Sequence, residues 1–404
     1  MNAHPEGRKV LVLGAGRGQV GLIRALRRLG ARVVVATQIR SDLPGIGIAD
    51  EILECDLRDA CGVVQAARSK DIDAVATSCM DTAMRTLGAL VDELGLRGVS
   101  GQVARLCNDK ISMKERLVAC GVPTAAFEVL TADSLIDEVL DRIGLPAVVK
   151  APNLQGSAGV RIVRDRAEAR SALDAVRETC GMDCVLVEAF LDGVELGAQA
   201  FVHNGEILFV MPHGDALAAP DMPIPVEHWA PMALCEAERD SVERTVVSAI
   251  EALELDDCAV NVDLILVDGV AHVIELTGRV GANGLPELTG ARLGLDYWEL
   301  VARECLDLDV REFWDARAEG ASAVLSRMVG RPDLHGTTTA VEAEDLDEEW
   351  LVDRTVFIAP GRELDGFRSS NDCLAQVIVS GDDISECRER VDLATATIHV
   401  EVRR

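Results

Sequence analysis

Residues Ala259–Arg279 carry the densest chemical signal in the chain. Two strand-like runs, Val260–Val267 and Ala271–Thr277, meet at Asp268-Gly269. Val260, Val262, Leu264 and Leu266 give the first run a wholly apolar face. Ile274 and Leu276 share a face of the second, with His272 at its edge. Burying both faces on one side fixes the register, because a one-residue slip turns a whole strand over. The predicted pairing sets Leu264 opposite Ile274 and Asp263 opposite Glu275, with a three-residue loop and a bulge at Gly269. Asn261, Asp263, Glu275, Thr277 and Arg279 then share the opposite face. Carboxylates directly across a strand pair repel unless a cation lies between them. Magnesium suits such oxygen donors, with nucleotide phosphates completing its octahedron. Arg279 suits charge developing on a transferring phosphoryl group. The competing arrangement is a solvent-facing polar sheet in which Arg279 alone neutralises the acids.

The lysines are a second signal. Only five occur, at 9, 70, 110, 114 and 150, against thirty-five arginines, so a retained lysine points either to a use for its compact ammonium or to codon bias with random survivors. Lys150 ends the strand-like run Leu145–Lys150. The small polar stretch Ala151–Gly159 follows, and then the run Val160–Val163. An ammonium beside a Gly/Ser loop suits phosphate, whose oxygens the loop amides can wrap. An ordinary Gly-rich hairpin is the plain alternative.

The elements that must hold these groups read as α/β. Val10–Leu13, Arg32–Ala36 and Asp73–Thr77 are strand-like, with helical spacing over Gly18–Leu29 and about Asp81–Leu94, which predicts a parallel sheet. Gly16-x-Gly18-x-x-Gly21 fits a dinucleotide pattern two residues late. Thr37 stands near the position of the expected acid, so a tight turn is the better reading than NAD binding. A tail from Glu312 holds an acidic run, Glu342–Glu349, read as a solvated face. It closes with the strand Ala375–Val379, a helix near Ile384–Leu393 and the strand Thr397–Val402.

Composition sets the outer bounds. The chain has 404 residues, 49% hydrophobic, ample for two or three cored domains. Its formal charge of −28 argues against nucleic acid and anionic membrane surfaces. No run approaches the ~18 apolar residues of a membrane span, and Met1–Glu6 lacks the pattern of a signal peptide, so a cytoplasmic protein is expected. Twelve scattered cysteines, with no Cys-x-x-Cys, read as reduced thiols serving as small apolar side chains.

Taken in order, these segments resemble the ATP-grasp superfamily, in the branch of the amino-acid ligases, biotin carboxylase and the carbamoyl-phosphate synthetase large subunit. The resemblance covers about residues 8 to 310. It rests on Asn108-Asp109-Lys110 with Met113-Lys114 and Gly121-Val122-Pro123, on Leu145–Lys150, and on Gln155-Gly156-Ser157-Ala158-Gly159. Val185–Leu191, Gly193-Val194-Glu195, Asn261-Val262-Asp263 and Glu275-Leu276-Thr277-Gly278-Arg279 complete it. The implied architecture is a Rossmann-like pre-ATP-grasp domain over 1–105, a two-lobed ATP-grasp domain over 106–310 with a mobile lid at about 122–190, and a small α+β domain over 311–404.

The resemblance assigns ATP phosphates to Lys110, Lys150, Gly156 and Ser157. It assigns adenine to Glu188, Ala189 and Phe190, and ribose to Glu195. Asp263, Glu275 and Thr277 become ligands of Mg2+, or of Mn2+ in its place, and Arg279 becomes the catalytic phosphate-side arginine. Thr277 departs from the family, which commonly has Asn there. The implied activity is an ATP-dependent carboxylate–amine ligase: a carboxylate attacks the γ-phosphoryl group, and an amine displaces phosphate from the acyl phosphate. The partners are then a small acid and an amine, and relatives of this kind are often homodimers. Glu227-His228-Trp229 and Pro231 resemble the stretch before the acidic hairpin in amino-acid ligases, which nominates His228 as a base, with a structural histidine as the plainer reading. Gly281 and Asn283, in the turn after Arg279, are candidates for holding substrate carboxylate, against a plain turn. Bicarbonate activation, as in carboxylases or carbamoyl-phosphate synthetases, is the alternative chemistry. A nucleotide-binding protein without ligase activity is the third reading.

Overall fold

The computed structural model describes residues 5–40, 43–131, 135–154, 159–219 and 222–403. Strands β1 (Lys9–Leu13), β2 (Arg32–Thr37), β3 (Glu51–Glu54) and β4 (Ala74–Ala76) form a parallel sheet in the order β3-β2-β1-β4. Val10–Leu13 and Val33–Ala36 are completely buried, as expected where helices cover both faces of a parallel sheet. The sequence reading missed β3. Its Glu-Ile-Leu-Glu pattern is short and half exposed, and it forms an edge whose Glu51 pairs with Lys70 and Arg32. The helix expected over Asp81–Leu94 opens with a 3-10 turn at Asp81–Ala83 and runs as α-helix from Met84.

The second unit is an antiparallel sheet of four strands. They are β5 (Phe127–Leu130), β6 (Ala147–Lys150), β7 (Val160–Val163) and β8 (Val185–Ala189), ordered β5-β8-β6-β7. The helices Ile136–Ile143 and Arg166–Cys180 pack on it around Val139, Leu140, Val149, Leu173 and Val187. The sheet lies within the span assigned to the lid. Loop residues Gln155–Ala158, including Gly156 and Ser157, lie outside the described residues.

The third unit is an eight-stranded sheet. It comprises β9 (Val194–His203), β10 (Glu206–Ala219), β11 (Met222–Ala230), β12 (Cys258–Val267), β13 (Val270–Thr277), β14 (Ala323–Val329), β16 (Leu351–Val356) and β18 (Ala375–Gly381). Its order is β13-β12-β9-β10-β11-β14-β18-β16. Three remaining strands, β15 (His335–Ala343), β17 (Glu363–Asp365) and β19 (Ile398–Arg403), form a small sheet ordered β17-β15-β19. The residues from Ala323 onward therefore extend the central sheet through the β11–β14 pairing. The acidic run Glu342–Glu349 is exposed at every charged position, as a solvated face requires. All twelve cysteines are free thiols.

The acidic hairpin needs one correction. Asp263 does face Glu275 and Asn261 faces Thr277, but Leu264 pairs with Val273, not with Ile274. The turn is the two-residue Asp268-Gly269, both at positive φ, as a type I′ connection demands. The bulge sits between Asp263 and Leu264, not at Gly269. It shifts the phase of β13, so Ala271 and Val273 supply its fully buried side chains below the bulge while Ile274 is only half-buried.

Candidate active site

Alternation along the central sheet gathers the candidate side chains onto one face. The opposite face carries Leu196, Ala198, Ala200, Val260, Val262 and Leu264 and packs on Val242, Val246 and Ala249 of the helix Glu236–Ala252. On the polar face, one rung runs Glu275, Asp263, Gly197, His213 across β13, β12, β9 and β10. The rung on one side reads Thr277, Asn261, Gln199, Met211. On the other side Ile265 pairs with Glu195, and Asp215 with His228. Gly197 is required here, because a Cβ would overlap the His213 ring lying over it.

Lys110 joins the acidic rung from another element. It opens the helix Lys110–Ala119, whose start is fixed by Asp109 accepting from the amides of Ile111 and Ser112. Its Nζ donates to Glu275 Oε1 at 2.7 Å and to the Leu154 carbonyl at 2.8 Å. Asp263 keeps access to solvent on a face crowded by protein. Desolvation, then the charge of Glu275, then that of Asp215 push its carboxyl up to about 7. Two carboxylates paired across adjacent strands fit a hard divalent cation.

Glu188, assigned to adenine by the resemblance, is engaged by two lysines. It is buried on β8, with Lys150 Nζ at 2.6 Å and Lys114 Nζ at 3.1 Å from the same Oε1. Lys114 also donates to Thr124 Oγ1 at 2.7 Å. Burial lowers the Lys114 pKa to about 8, with Glu188 opposing and Lys150 adding to the fall. The amides of Ala189 and Phe190 bond to Ala126 and Pro146 carbonyls, and the Phe190 side chain is partly exposed. Glu195 is exposed on β9, and its carboxyl is raised by desolvation and by Asp215.

Arg279 is held by a residue that the sequence reading did not single out. Asp81, at the start of the 3-10 turn beyond β4, receives Arg279 Nε at 2.6 Å and Nη2 at 2.7 Å in a two-pronged pair. Burial alone would lower the Arg279 pKa, but the Asp81 charge and hydrogen bonds reverse that and raise it. The Thr277 hydroxyl donates to the same Asp81 at 3.2 Å. Asp81 belongs to a helix-start pattern, and no local signal links it to a strand two hundred residues away.

His228 and His213 meet at Asp215, with Nδ1 at 2.6 and 2.8 Å from the same Oδ1. A carboxylate only accepts, so Nδ1 carries a proton on both rings, and in the neutral form of each ring Nε2 is the acceptor. Burial works to raise Asp215, but the two histidines outweigh it and hold the carboxyl well below the usual range. His228 Nε2 is buried without a hydrogen-bond partner among the described residues. Gly281 closes the far side of the face: a Cβ there would meet Asn261 Oδ1 at 2.7 Å and Gln199 Oε1 at 2.9 Å. Asn283 sits at φ +56°, and its carbonyl accepts from Ser326 Oγ at 3.0 Å.

An acidic strand pair under paired lysines, beside a small four-stranded antiparallel sheet, defines the ATP-grasp architecture. The comparisons agree. The phosphoribosylglycinamide synthetase ATP-grasp (A) domain matches residues 108–217, and the L-amino acid ligase C-terminal domain 2 matches residues 335–403. The crystal structure of phosphoribosylglycinamide synthetase from Anaerococcus prevotii is 33% identical, with a TM-score of 0.86, over 98% of this chain and 100% of that one. L-amino acid ligase from Bacillus licheniformis shares the fold at 19% identity and TM-score 0.82, over 99% of this chain and 100% of that one. Formate-dependent phosphoribosylglycinamide formyltransferase of Stenotrophomonas maltophilia (strain K279a) is 24% identical over 395 residues, 89% of this chain and 97% of that protein. Phosphoribosylamine–glycine ligase of Streptomyces coelicolor is 30% identical over 215 residues, 53% of this chain and 50% of that protein. The chain belongs to the ATP-grasp ligases, enzymes that use ATP to form carbon–nitrogen bonds.

Proposed function

We propose that the protein joins a small acid or amino acid to an amine through an acyl phosphate, releasing ADP and phosphate. The observation carrying this reading is the Glu275–Asp263 rung with Lys110 on one side and the Asp81-locked Arg279 on the other. Asp263 and Glu275 would hold Mg2+, with Thr277 a weaker candidate because its hydroxyl donates to Asp81. Bound there, the ion supplies charge neutralisation between phosphate oxygens. Lys110 and Lys150 bind phosphate, and Gly156 and Ser157 are their loop partners by resemblance. Ala189 and Phe190 would border adenine, Glu195 would bind ribose, and Glu188 would orient Lys150 and Lys114.

Arg279, its guanidinium fixed by Asp81, faces the transferring phosphoryl group and needs no reorganisation as charge develops. The carboxylate oxygen attacks phosphorus as the bond to the ADP oxygen breaks. The amine then attacks the acyl carbon, and phosphate leaves. His228 Nε2, an acceptor by virtue of the Asp215 bond, takes the proton released from the amine. Gly281 and Asn283 present the loop that borders the substrate carboxylate.

The test is ADP release by purified protein with MgATP and pooled amino acids, with mass analysis of products. Separate arms contain glycine, formate and bicarbonate. ADP formed only with an acid and an amine together, alongside a condensed mass, supports the ligase. Glu275→Gln is expected to abolish that turnover without loss of fold. Bicarbonate-dependent release would favour the carboxylating alternative, and AMP with pyrophosphate would overturn the acyl-phosphate route.

A further inference from the structure

Two imidazoles and a carboxylate converge on one face of the central sheet. His213 and Asp215 stand two residues apart on β10, and His228 stands directly opposite Asp215 on β11. Side chains two apart on a strand share a face with the side chain across the pair. The strands between them are packed tightly: a Cβ on Gly214 would lie 2.3 Å from the Trp229 ring. The two imidazole rings stand at 90° with their centres 5.4 Å apart, and both turn Nδ1 toward Asp215 Oδ1. One ligating atom from each of the three residues lies within 4.8 Å of the other two.

Among the described residues, Asp215 pairs with no lysine or arginine. Neutral imidazoles leave it a net negative charge, and the side chains are only 2% exposed at His213, 6% at His228 and 10% at Asp215. A buried charge without a full counter-charge is costly, and a bound cation relieves that cost. A neighbouring side chain points the same way. Gln199 Oε1 is buried with no hydrogen-bond partner among the described residues, while the Nε2 of the same amide lies 3.3 Å from His213 Nε2. A histidine that ligates a metal through one nitrogen carries its proton on the other and needs an acceptor there. A half-turn of the Gln199 amide supplies one.

The donor set selects the ion. Magnesium prefers an octahedron of oxygens, which the Asp263–Glu275 pair suits, whereas imidazole nitrogens favour zinc and its transition-metal neighbours. Two imidazoles, one carboxylate and an open fourth position make a tetrahedral zinc site. Ligand atoms on such an ion stand about 3.3 Å apart, given zinc bonds of about 2.0–2.1 Å. The present contacts are 2.8 Å from His213 and 2.6 Å from His228 to Asp215, so these ligands need part by less than about 1 Å.

We propose that His213, Asp215 and His228 form a second metal site, selective for Zn2+ over Mg2+, whose occupation blocks the acceptor nitrogen of His228. Ligation uses the Nδ1 lone pair, so the proton held on Nδ1 moves to Nε2 and the neutral ring keeps one proton throughout. Nε2 then donates and takes no proton from an amine. The binding half of the proposal stands on the geometry, and the blocking half rests on the ligase reading.

The test is calorimetric titration of the full chain with Zn2+ under saturating Mg2+, with the ligands identified by X-ray absorption at the zinc edge. The exposed thiols Cys61, Cys120 and Cys235 are first alkylated so that they take no zinc. One zinc ion with nitrogen and oxygen neighbours is expected. His213→Gln, Asp215→Asn and His228→Gln should each weaken its binding at least about tenfold, whereas Asp263→Asn should leave it unchanged. Melting temperatures check the fold of each variant. Zinc held only by sulfur, zinc bound equally by the three variants, or zinc displaced by Mg2+ overturns the site. In a second arm, Zn2+ should suppress amine-dependent ADP release more steeply in the wild type than in His213→Gln. Equal sensitivity of the two, or full release with the ion bound, overturns the block. No amine-dependent release from zinc-free protein, with zinc binding intact and histidine-dependent, would instead overturn the ligase reading and leave the site standing.

Discussion

At the scale of single residues, Glu188 shows how the site balances its buried charges. One carboxylate oxygen faces two ammonium groups, Lys150 and Lys114, and all three side chains are almost fully buried. Removing the acid leaves two buried cations facing each other, so Glu188→Gln should lose about 3 kcal/mol of stability, read from urea unfolding. Its pH dependence has a defined sign. Lys114 is already lowered to about 8, while an unfolded lysine keeps its proton to about 10.4. Stability therefore rises with pH across that interval and is lost as pH falls through it. Without Glu188 the interval extends downward, so the variant should gain stability between pH 7 and 9 by more than the wild type. An equal gain in both would show that the pairing is energetically silent. Asp263 behaves in the opposite sense. Its carboxyl is raised to about 7, so the folded state holds the proton more tightly and stability falls as pH rises from about 4 to 7. Asp263→Asn should melt a few degrees higher than the wild type at pH 8 in metal-free buffer, by about 1 kcal/mol after allowing for solvent in the cleft, and should lose turnover. A lower melting temperature would mean that Asp263 is stabilised by partners rather than strained by Glu275. These two acids were legible in the sequence because alternation places them on one face. The grip of Glu188 on two lysines was not, since its partners come from separate elements.

At the scale of elements, the β12–β13 hairpin was readable and its register only half so. Apolar alternation correctly pairs Asp263 with Glu275, but it cannot show that the extra residue is absorbed at Leu264 instead of in the turn. Both bulge positions leave the acidic rung intact, which is why the site survived the misplacement. The docking of the parallel sheet on this hairpin lies beyond local pattern altogether. Asp81 follows β4, Arg279 follows β13, and only the folded chain brings them to 2.6 Å. The pair sets the direction of the arginine fork and also ties two units together. Asp81→Asn keeps the shape but replaces a charged two-pronged pair with neutral bonds. Turnover should fall about 10- to 100-fold, because small misplacements of a charge-stabilising group are costly, while ATP affinity changes little. Steady-state kinetics would separate these effects. An unchanged kcat would relegate Asp81 to holding the interface.

At the scale of the whole molecule, the chain from Ala323 onward is more than an appended domain. Its sequence reads as a separate α+β tail because a strand's partners are set by distant residues. The structure instead places β14 between β11 and β18, continuing the sheet that carries the acidic rung. Trp229 packs on the cluster that contains Leu325 and Val377, while Ala230, Leu288, Val324 and Ile378 belong to one shared cluster. Cutting the chain after Arg317 would strip β11 of its neighbour and open that apolar surface along an unpaired edge, the arrangement that promotes edge-to-edge aggregation. The 1–317 fragment, although it retains Lys110, Lys150, Asp263, Glu275 and Arg279, should be insoluble or unfold without a cooperative transition. A soluble fragment with a sharp thermal transition would show that the tail is an independent module after all.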